Sequence, residues 1–396
     1  MSITLFGILW LFLLLVLFLK RNDEYVLFIT LIGMLLQSDD VFTLGPESGM
    51  GSQVITSIFF ILYSYTIKIK RTNIKFEYSI LYIIYFVIII YMYMCNPKSL
   101  PVLGQLFIYL FCAYRMYIFR SRISERSYVK IIYRLSLFFG FFCIAQLLSS
   151  IHILPKIILQ PFFFNDPSEY VHFNKDESYF RVFGTFMEPS YCSSFLVGLI
   201  GYLYIYRDYI KSKKLIYLLC VNLVLTFSST GYVGLVLLYL MFIICNRNVK
   251  MLKIAIPTIA VFIIFFLLTK DTLMKEIILD KMNSASGRER ARWNERALFD
   301  FNHNPLTGVG FGNSRASSFA YCLLGEIGII GTLMYTFFSA FLFLPLLKSK
   351  HFSIHEIASR YFVLGVFICM LIACPDQTLC TFWMGIYFVS LSPYIK

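Results

Sequence analysis

Apolar runs long enough to cross roughly 30 Å of hydrocarbon recur along this chain, separated by short polar segments and by no gap the size of a soluble domain. The pattern predicts an all-α polytopic integral membrane protein with a single membrane domain over 1–396. Composition agrees, because 59% of the 396 residues are hydrophobic and only 14% are charged, outside the range of soluble globular chains.

The runs fall near 3–19, 25–37, 52–67, 78–94, 101–119, 131–154, 189–206, 215–228, 231–245, 254–269, 320–347, 361–374 and 380–392, which gives about 12–13 transmembrane helices. The first run has no basic n-region and no small-residue cleavage site ahead of Lys20-Arg21, so it reads as a retained helix. The net charge of +13 would suggest nucleic acid in a soluble protein, but its distribution points elsewhere. Lysine and arginine crowd into alternate loops: Lys68 to Lys75, Arg115 to Lys130, Arg207 to Lys214, Arg247 to Lys253 and Lys348 to Arg360. The positive-inside rule makes those loops cytoplasmic and the C-terminus internal, with no nucleic-acid partner needed.

Two loops on the other side are too long to be mere connectors, 155–188 and 270–319. The first carries Lys156, Lys175 and Arg181 and ends in Arg181-Val-Phe-Gly-Thr-Phe-Met-Glu188-Pro189-Ser190, where the proline opens a helix. The second is an arginine-rich island, Ser286-Gly-Arg288-Glu-Arg290-Ala-Arg292-Trp293. Ser286 and Glu289 have capping-box spacing, so an amphipathic helix is expected near 287–302, stopped by Pro305. Arg288, Arg292 and Arg296 share one of its faces, and Trp293, Ala297 and Phe301 another. Glycines 308, 310 and 312 follow. They allow tight turns, and their amides would suit an anion. No strand precedes them, which speaks against a dinucleotide fingerprint.

Taken together, Arg181-x-x-Gly184-x-x-x-Glu188-Pro189, Ser286-Gly287-Arg288 with Trp293, Asn304-Pro305-Leu306-x-Gly308-x-Gly310 and Glu326-x-Gly328-Ile329-Ile330-Gly331 resemble the bacterial O-antigen and capsular polysaccharide polymerases of the Wzy type. These lie within the superfamily that includes the O-antigen ligases. The resemblance covers roughly 180–335 by motif and the rest by topology and hydropathy. It implies a GT-C-like, metal-independent glycosyltransferase without cofactor in the bacterial inner membrane. Undecaprenyl-pyrophosphate-linked oligosaccharides would be joined on the periplasmic side, with a chain-length regulator as an expected protein partner. Ligases of this superfamily carry a histidine ahead of the Gly-x-x-Gly pair, where this chain has Ser317-Ser318, and that departure argues against the ligase branch.

Such chemistry needs cations for the pyrophosphate, a base for the acceptor hydroxyl and a groove for sugars. Arg288 and Arg181 are the candidate catalytic cations, with Arg292 and Arg315 as substrate-binding cations, because guanidinium binds phosphate bidentately. Arg290 and Arg296 read instead as a solvated helix face beside Glu289 and Glu295. For the base, Glu188 and His303 lead, with His172, Glu326 and Asp376 as further candidates. Glu188 has a competing role as a helix cap, and His303 as a turn residue before Asn304-Pro305. Glu326 lies in an apolar span, where a carboxylate serves a cavity or a partner, and is assigned to substrate binding together with Trp293, which offers a ring for sugar stacking as does Tyr170. Gln105, Gln146 and Ser228-Ser229-Thr230-Gly231 read as polar contacts between helices. Most of the ten cysteines lie in apolar spans, and no metal-ligand spacing appears. Cys374 and Cys380 flank a short turn and are the pair with disulfide spacing. The alternatives to a polymerase are an O-antigen ligase, a lipid-linked oligosaccharide flippase or transporter, for which no internal repeat is evident, and an acyltransferase, for which no histidine sits inside the membrane.

Overall fold

A computed structural model describes residues 2–37, 40–45, 48–68, 75–155, 159, 180–210, 213–246 and 285–392. The span expected near 254–269, the start of the 270–319 loop, Asp39, Glu47 and most of the 155–188 loop, with Lys156, Tyr170, His172 and Lys175, lie outside the described residues.

The described residues form thirteen α-helices. In chain order they are α1 (Leu5–Lys20), α2 (Asp23–Leu35), α3 (Ser52–Thr66), α4 (Phe76–Cys95), α5 (Leu100–Phe119), α6 (Glu125–Ser150) and α7 (Pro189–Ile210). Then follow α8 (Lys213–Leu225), α9 (Ser229–Asn246), α10 (Ala285–His303), α11 (Phe319–Phe343), α12 (Ile354–Ala373) and α13 (Cys380–Leu391). Five helical stretches are long and apolar enough to cross a membrane: Phe76–Cys95, Pro97–Arg122, Glu125–Ser150, Phe319–Leu347 and Ile354–Ala373. Shorter apolar helices, among them Leu5–Lys20 and Cys380–Leu391, stand beside them. The protein is thus an all-α multi-pass membrane protein, the architecture in which each spanning segment satisfies its own backbone in lipid.

Side-chain contacts sort the helix termini into two ends. At one end Asp23 pairs with Arg122 at 2.8 Å, Glu24 with Lys130 and Arg134, Lys75 with Glu356, and His355 with Glu125. This is the end that carries the basic loops. At the other end Asn96 meets Phe311, Thr185 meets Leu35, and Ser318 meets Leu371. Successive helices α1 to α9 alternate between these ends. Between them lies an aromatic core in which Tyr85 contacts both Trp383 and Phe338 edge-on at 4.9 Å. Gly198 and Gly365 let α7 and α12 close to backbone contact.

Several boundaries differ from the hydropathy reading. Helices α6 and α12 begin at Glu125 and Ile354, not near 131 and 361, because their first turns are charged and polar, and α12 opens with a Ser353/Glu356 capping box. Ser286 lies inside α10 instead of ahead of it. A small antiparallel sheet, which hydropathy gives no sign of, joins β1 (Ser2–Ile3), β2 (Asp40–Gly45) and β3 (Ser48–Gly51) at the end away from the basic loops. Its registers pair Ile3 with Phe42 and Asp40 with Gly51, and burial raises the Asp40 carboxyl above its ordinary range.

Candidate functional site

Helix α11 is broken at Gly328, whose backbone (φ 62°, ψ −165°) is open in practice only to glycine. A continuous helix would pair the amides of 329 and 330 with the carbonyls of 325 and 326. Here all four groups turn to the loop before α11. Ile329 and Ile330 donate to the Pro305 and Leu306 carbonyls at 2.8 and 3.2 Å, while Val309 and Gly310 donate to the Gly325 and Glu326 carbonyls at 2.9 Å each. A Cβ on Gly308 would sit 2.4 Å from the Glu326 carbonyl carbon, and one on Gly328 2.4 Å from the Leu306 oxygen. The two motifs of the sequence, Asn304 to Gly310 and Glu326 to Gly331, are therefore one unit of main chain against main chain.

The exchange corrects the expectation that the glycine amides await an external anion. The Gly308 amide goes to Asn304, that of Gly310 to Glu326, and that of Gly312 to the Glu326 carboxylate at 3.0 Å. Two of them meet backbone carbonyls, and the one anion, taken by Gly312, is internal.

Glu326 is 5% exposed, and its second oxygen takes the Gln377 side-chain amide at 3.4 Å. Gln377 belongs to the short turn between α12 and α13, fixed by the Trp383 indole N–H on the Gln377 carbonyl at 3.1 Å. In the same turn Thr378 aims both its amide and its hydroxyl at Asp376 Oδ1, each at 2.7 Å. Burial raises the Asp376 carboxyl above the usual aspartate range, and the two Thr378 donors pull it back down. Glu326, Asp376 and Gln377 line a pocket of about 400 Å³ with Asn96, Lys98 and Asn313. A second pocket, of about 590 Å³, borders the same loop at Asn304, Thr307 and Val309, with Tyr91 opposite.

Helix α10 docks beside this unit by polar contacts. Asn294 Oδ1 accepts the Ser317 and Ser318 amides at 2.8 and 3.3 Å. Buried Asp300 accepts the Ser314 hydroxyl at 2.8 Å and pairs with Arg296 at 3.2 Å. Ala297 packs with Ala316 and Cys322. Arg290, Trp293 and Asn294 are consequently half-buried, whereas Arg288, Arg292 and Arg296 are exposed. Arg315 lies over the Trp293 ring, 3.9 Å from its centroid. His303, at the exposed C-terminus of α10, bonds through Nδ1 to the Phe299 carbonyl at 2.8 Å, its ring 4.1 Å from that of Phe299 and tilted 39° to it.

Segment 180–188 approaches from the side of α8. Arg181 is half-buried and donates Nε to the Thr226 carbonyl at 3.2 Å. Gln146 clasps the turn at Phe183 and Gly184 with both ends of its amide. Glu188 is exposed, accepts the Ser190 hydroxyl at 2.9 Å and presents its carbonyl to the first turn of α7, as a cap does. Burial and then the charge of Glu188 push the Cys374 thiol up to about 12, against Ser190 and Arg290. Glu188, Arg290 and Asp376 thus lie within electrostatic range of one sulfur. Cys374 and Cys380 are both free thiols.

Of the sequence candidates, Glu326 and Asp376 come together in the pocket, and Glu188 lies near them. Trp293 and Arg315 meet each other, Arg288 and Arg292 stand on the outer face of α10, and His303 stands apart at its end. Lys98, Gln377 and the inward turn of Arg290 were not foreseen. Lys98 had a signal: it is a lone lysine in a short connection on the face opposite the basic loops.

Residues 215–336 match the family model described as O-antigen ligase. Over that stretch the chain resembles the O-antigen ligases. The similarity takes in α8 to α10, the 304–312 loop, Glu326 and Gly328, and supports the O-antigen ligase and polymerase superfamily without separating its two branches. Asp376, Gln377, Arg181 and Glu188 fall outside the matched residues, which make up less than half of the chain. No curated protein matches this chain.

Proposed function

We propose that this protein is a glycosyltransferase of the polymerase type, joining undecaprenyl-pyrophosphate-linked repeat units into O-antigen or capsular glycan at the outer face of the bacterial inner membrane. The observation that carries the reading is the polar pocket at the end of the bundle away from the basic loops, where buried Glu326 and half-buried Asp376 lie near the docked, arginine-bearing helix α10. Carboxylates suit sugar hydroxyls, and guanidinium groups suit pyrophosphate. Arg288 and Arg181 are proposed to hold the lipid pyrophosphate and stabilise it as a leaving group, with Arg292 and Arg315 assisting. A single preorganised donor of this kind contributes about 3–4 kcal/mol to a transition state. Trp293, already under the Arg315 guanidinium, offers its ring edge to sugar.

The ligase is the second reading, favoured by the description of the matching family model and opposed by Ser317-Ser318, which stand where the ligases carry a histidine. Deleting the gene in its host and restoring it as wild type, Arg288→Ala or Arg181→Ala separates the two. The polymerase reading expects single repeat units on the core in the deletion strain and in the arginine variants at matched membrane abundance. Full-length polymer left on the lipid carrier supports the ligase. A wild-type ladder in the deletion strain overturns both.

A further inference from the structure

We propose that Asp376 is the base that activates the acceptor hydroxyl, and that the pocket lined by Asn96, Asn313, Glu326, Asp376 and Gln377 is the acceptor-sugar subsite. This rests on the glycosyl-transfer reading above.

Three observations converge on it. Asp376 uses one oxygen for both Thr378 donors, which locks the carboxylate in orientation, and Oδ2 has no partner among the described residues. Glu326 differs, because each of its oxygens already takes a donor, from Gly312 and from Gln377. It is built to hold, whereas Asp376 has a free oxygen for a proton. Gln377, 2% exposed and part of the pocket wall, keeps its Oε1 without a hydrogen-bond partner among the described residues. A buried orphan acceptor is destabilising unless something donates to it, and a sugar hydroxyl does so.

The pocket, about 400 Å³, falls within the size range of small-molecule sites. Its two carboxylates repel a pyrophosphate and accept from neutral polyols, so it suits the acceptor end of the reaction and not the donor. Lys98 stands exposed at its rim. His303 and Glu188 do not line it. Asp376 also retains protons more readily than an ordinary aspartate, as a base must.

In the step so defined, Asp376 Oδ2 takes the proton of the acceptor hydroxyl. The acceptor oxygen bonds to the anomeric carbon of the donor, the bond from that carbon to the pyrophosphate oxygen breaks, and its electron pair leaves with the lipid pyrophosphate.

The test uses the full-length protein in liposomes with lipid-linked repeat units extracted from the deletion strain. Asp376→Asn is expected to lower kcat by about 100-fold or more while leaving KM for the lipid-linked unit unchanged. Asp376→Glu, which keeps the charge but moves it, is expected to lower kcat on the order of 10-fold to 100-fold with wild-type melting. That second variant decides the matter if the asparagine variant does not accumulate. Wild-type kcat in either variant, or a raised KM at unchanged kcat, overturns Asp376 as base. Failure of the wild-type protein itself to transfer glycan, with a normal ladder in the deletion strain, overturns the underlying reading instead.

Discussion

The two ends of the bundle treat their wholly or partly buried carboxylates in opposite ways. At the basic end each one meets a cation: Asp23 has Arg122 at 2.8 Å, Glu24 has Lys130 at 3.1 Å and Arg134 at 3.0 Å, and Glu356 has Lys75 at 3.8 Å with the Tyr78 hydroxyl at 2.9 Å. At the other end Glu326 and Asp376 are held by a glycine amide, a glutamine and a threonine, all neutral. Asp300, paired with Arg296 and Ser314, belongs by its partners to the first style although it stands at the second end. Charges that neutralise each other hold helices together. Charges held only by neutral dipoles keep their field for something else, at a cost in burial that the fold alone gives no reason to accept.

The sharpest way to break this contrast is to remove what holds the neutral end together. Gly328→Ala places a methyl 2.4 Å from the Leu306 oxygen, in a backbone conformation that carries strain on the order of 1–3 kcal/mol by itself for a non-glycine residue. The loop must detach, and the expected result is loss of glycan transfer, a lower melting temperature in detergent and new protease cutting within 304–312. Wild-type melting would refute the broken-helix account.

Next in size is the attachment of α10. Asp300→Ala leaves Ser314 and Arg296 without their acceptor and should destabilise by about 1.5–3 kcal/mol. Arg296→Ala, with its side chain 69% exposed, should change stability by about 1 kcal/mol or less. Equal effects from the two would place the value of the contact in the ion pair and not in the buried hydroxyl bond.

Asp376 sharpens the contrast through pH. Its carboxyl is raised in the folded state, so its share of stability is complete below the unfolded aspartate range and is lost as pH rises through the folded pKa. Asp376→Asn should therefore match wild type in acid and melt above it at neutral pH, even as transfer collapses. Melting that falls at neutral pH would mean that the charge stabilises the fold and belongs to the first style after all. The smallest effect is expected at the basic end. Glu24→Gln should cost about 1 kcal/mol or less, diminish with added salt, and leave transfer unchanged.

The spans were legible because hydropathy reports directly on lipid contact, and Glu326 because a carboxylate within an apolar run demands a reason. The starts of α6 and α12 were not, since Glu125 and Glu356 open helices whose first turns stand outside the apolar run. The sheet escaped because its strands are short and two of its members hold glycines at 45, 49 and 51. In the site, spacing correctly put Arg288, Arg292 and Arg296 on one face of α10, but spacing does not say which face packs. That is set by Asn294, Ala297 and Asp300, whose partners at 314–318 lie beyond the loop. The amides of the glycine turn were misjudged for the same reason: those of Val309 and Gly310 find acceptors in the Gly325 and Glu326 carbonyls, which only the break at Gly328 exposes.

The bonds that mend that break run from main chain to main chain, and none of them consults the identity of a side chain at 305, 306 or 309. Spelling at those three positions is accordingly free where the length of the stretch is not. One residue inserted between Asn304 and Gly310 would slide every pairing by a step and carry the Gly312 amide away from Glu326, whereas a change of letter at Val309 would leave the arrangement standing.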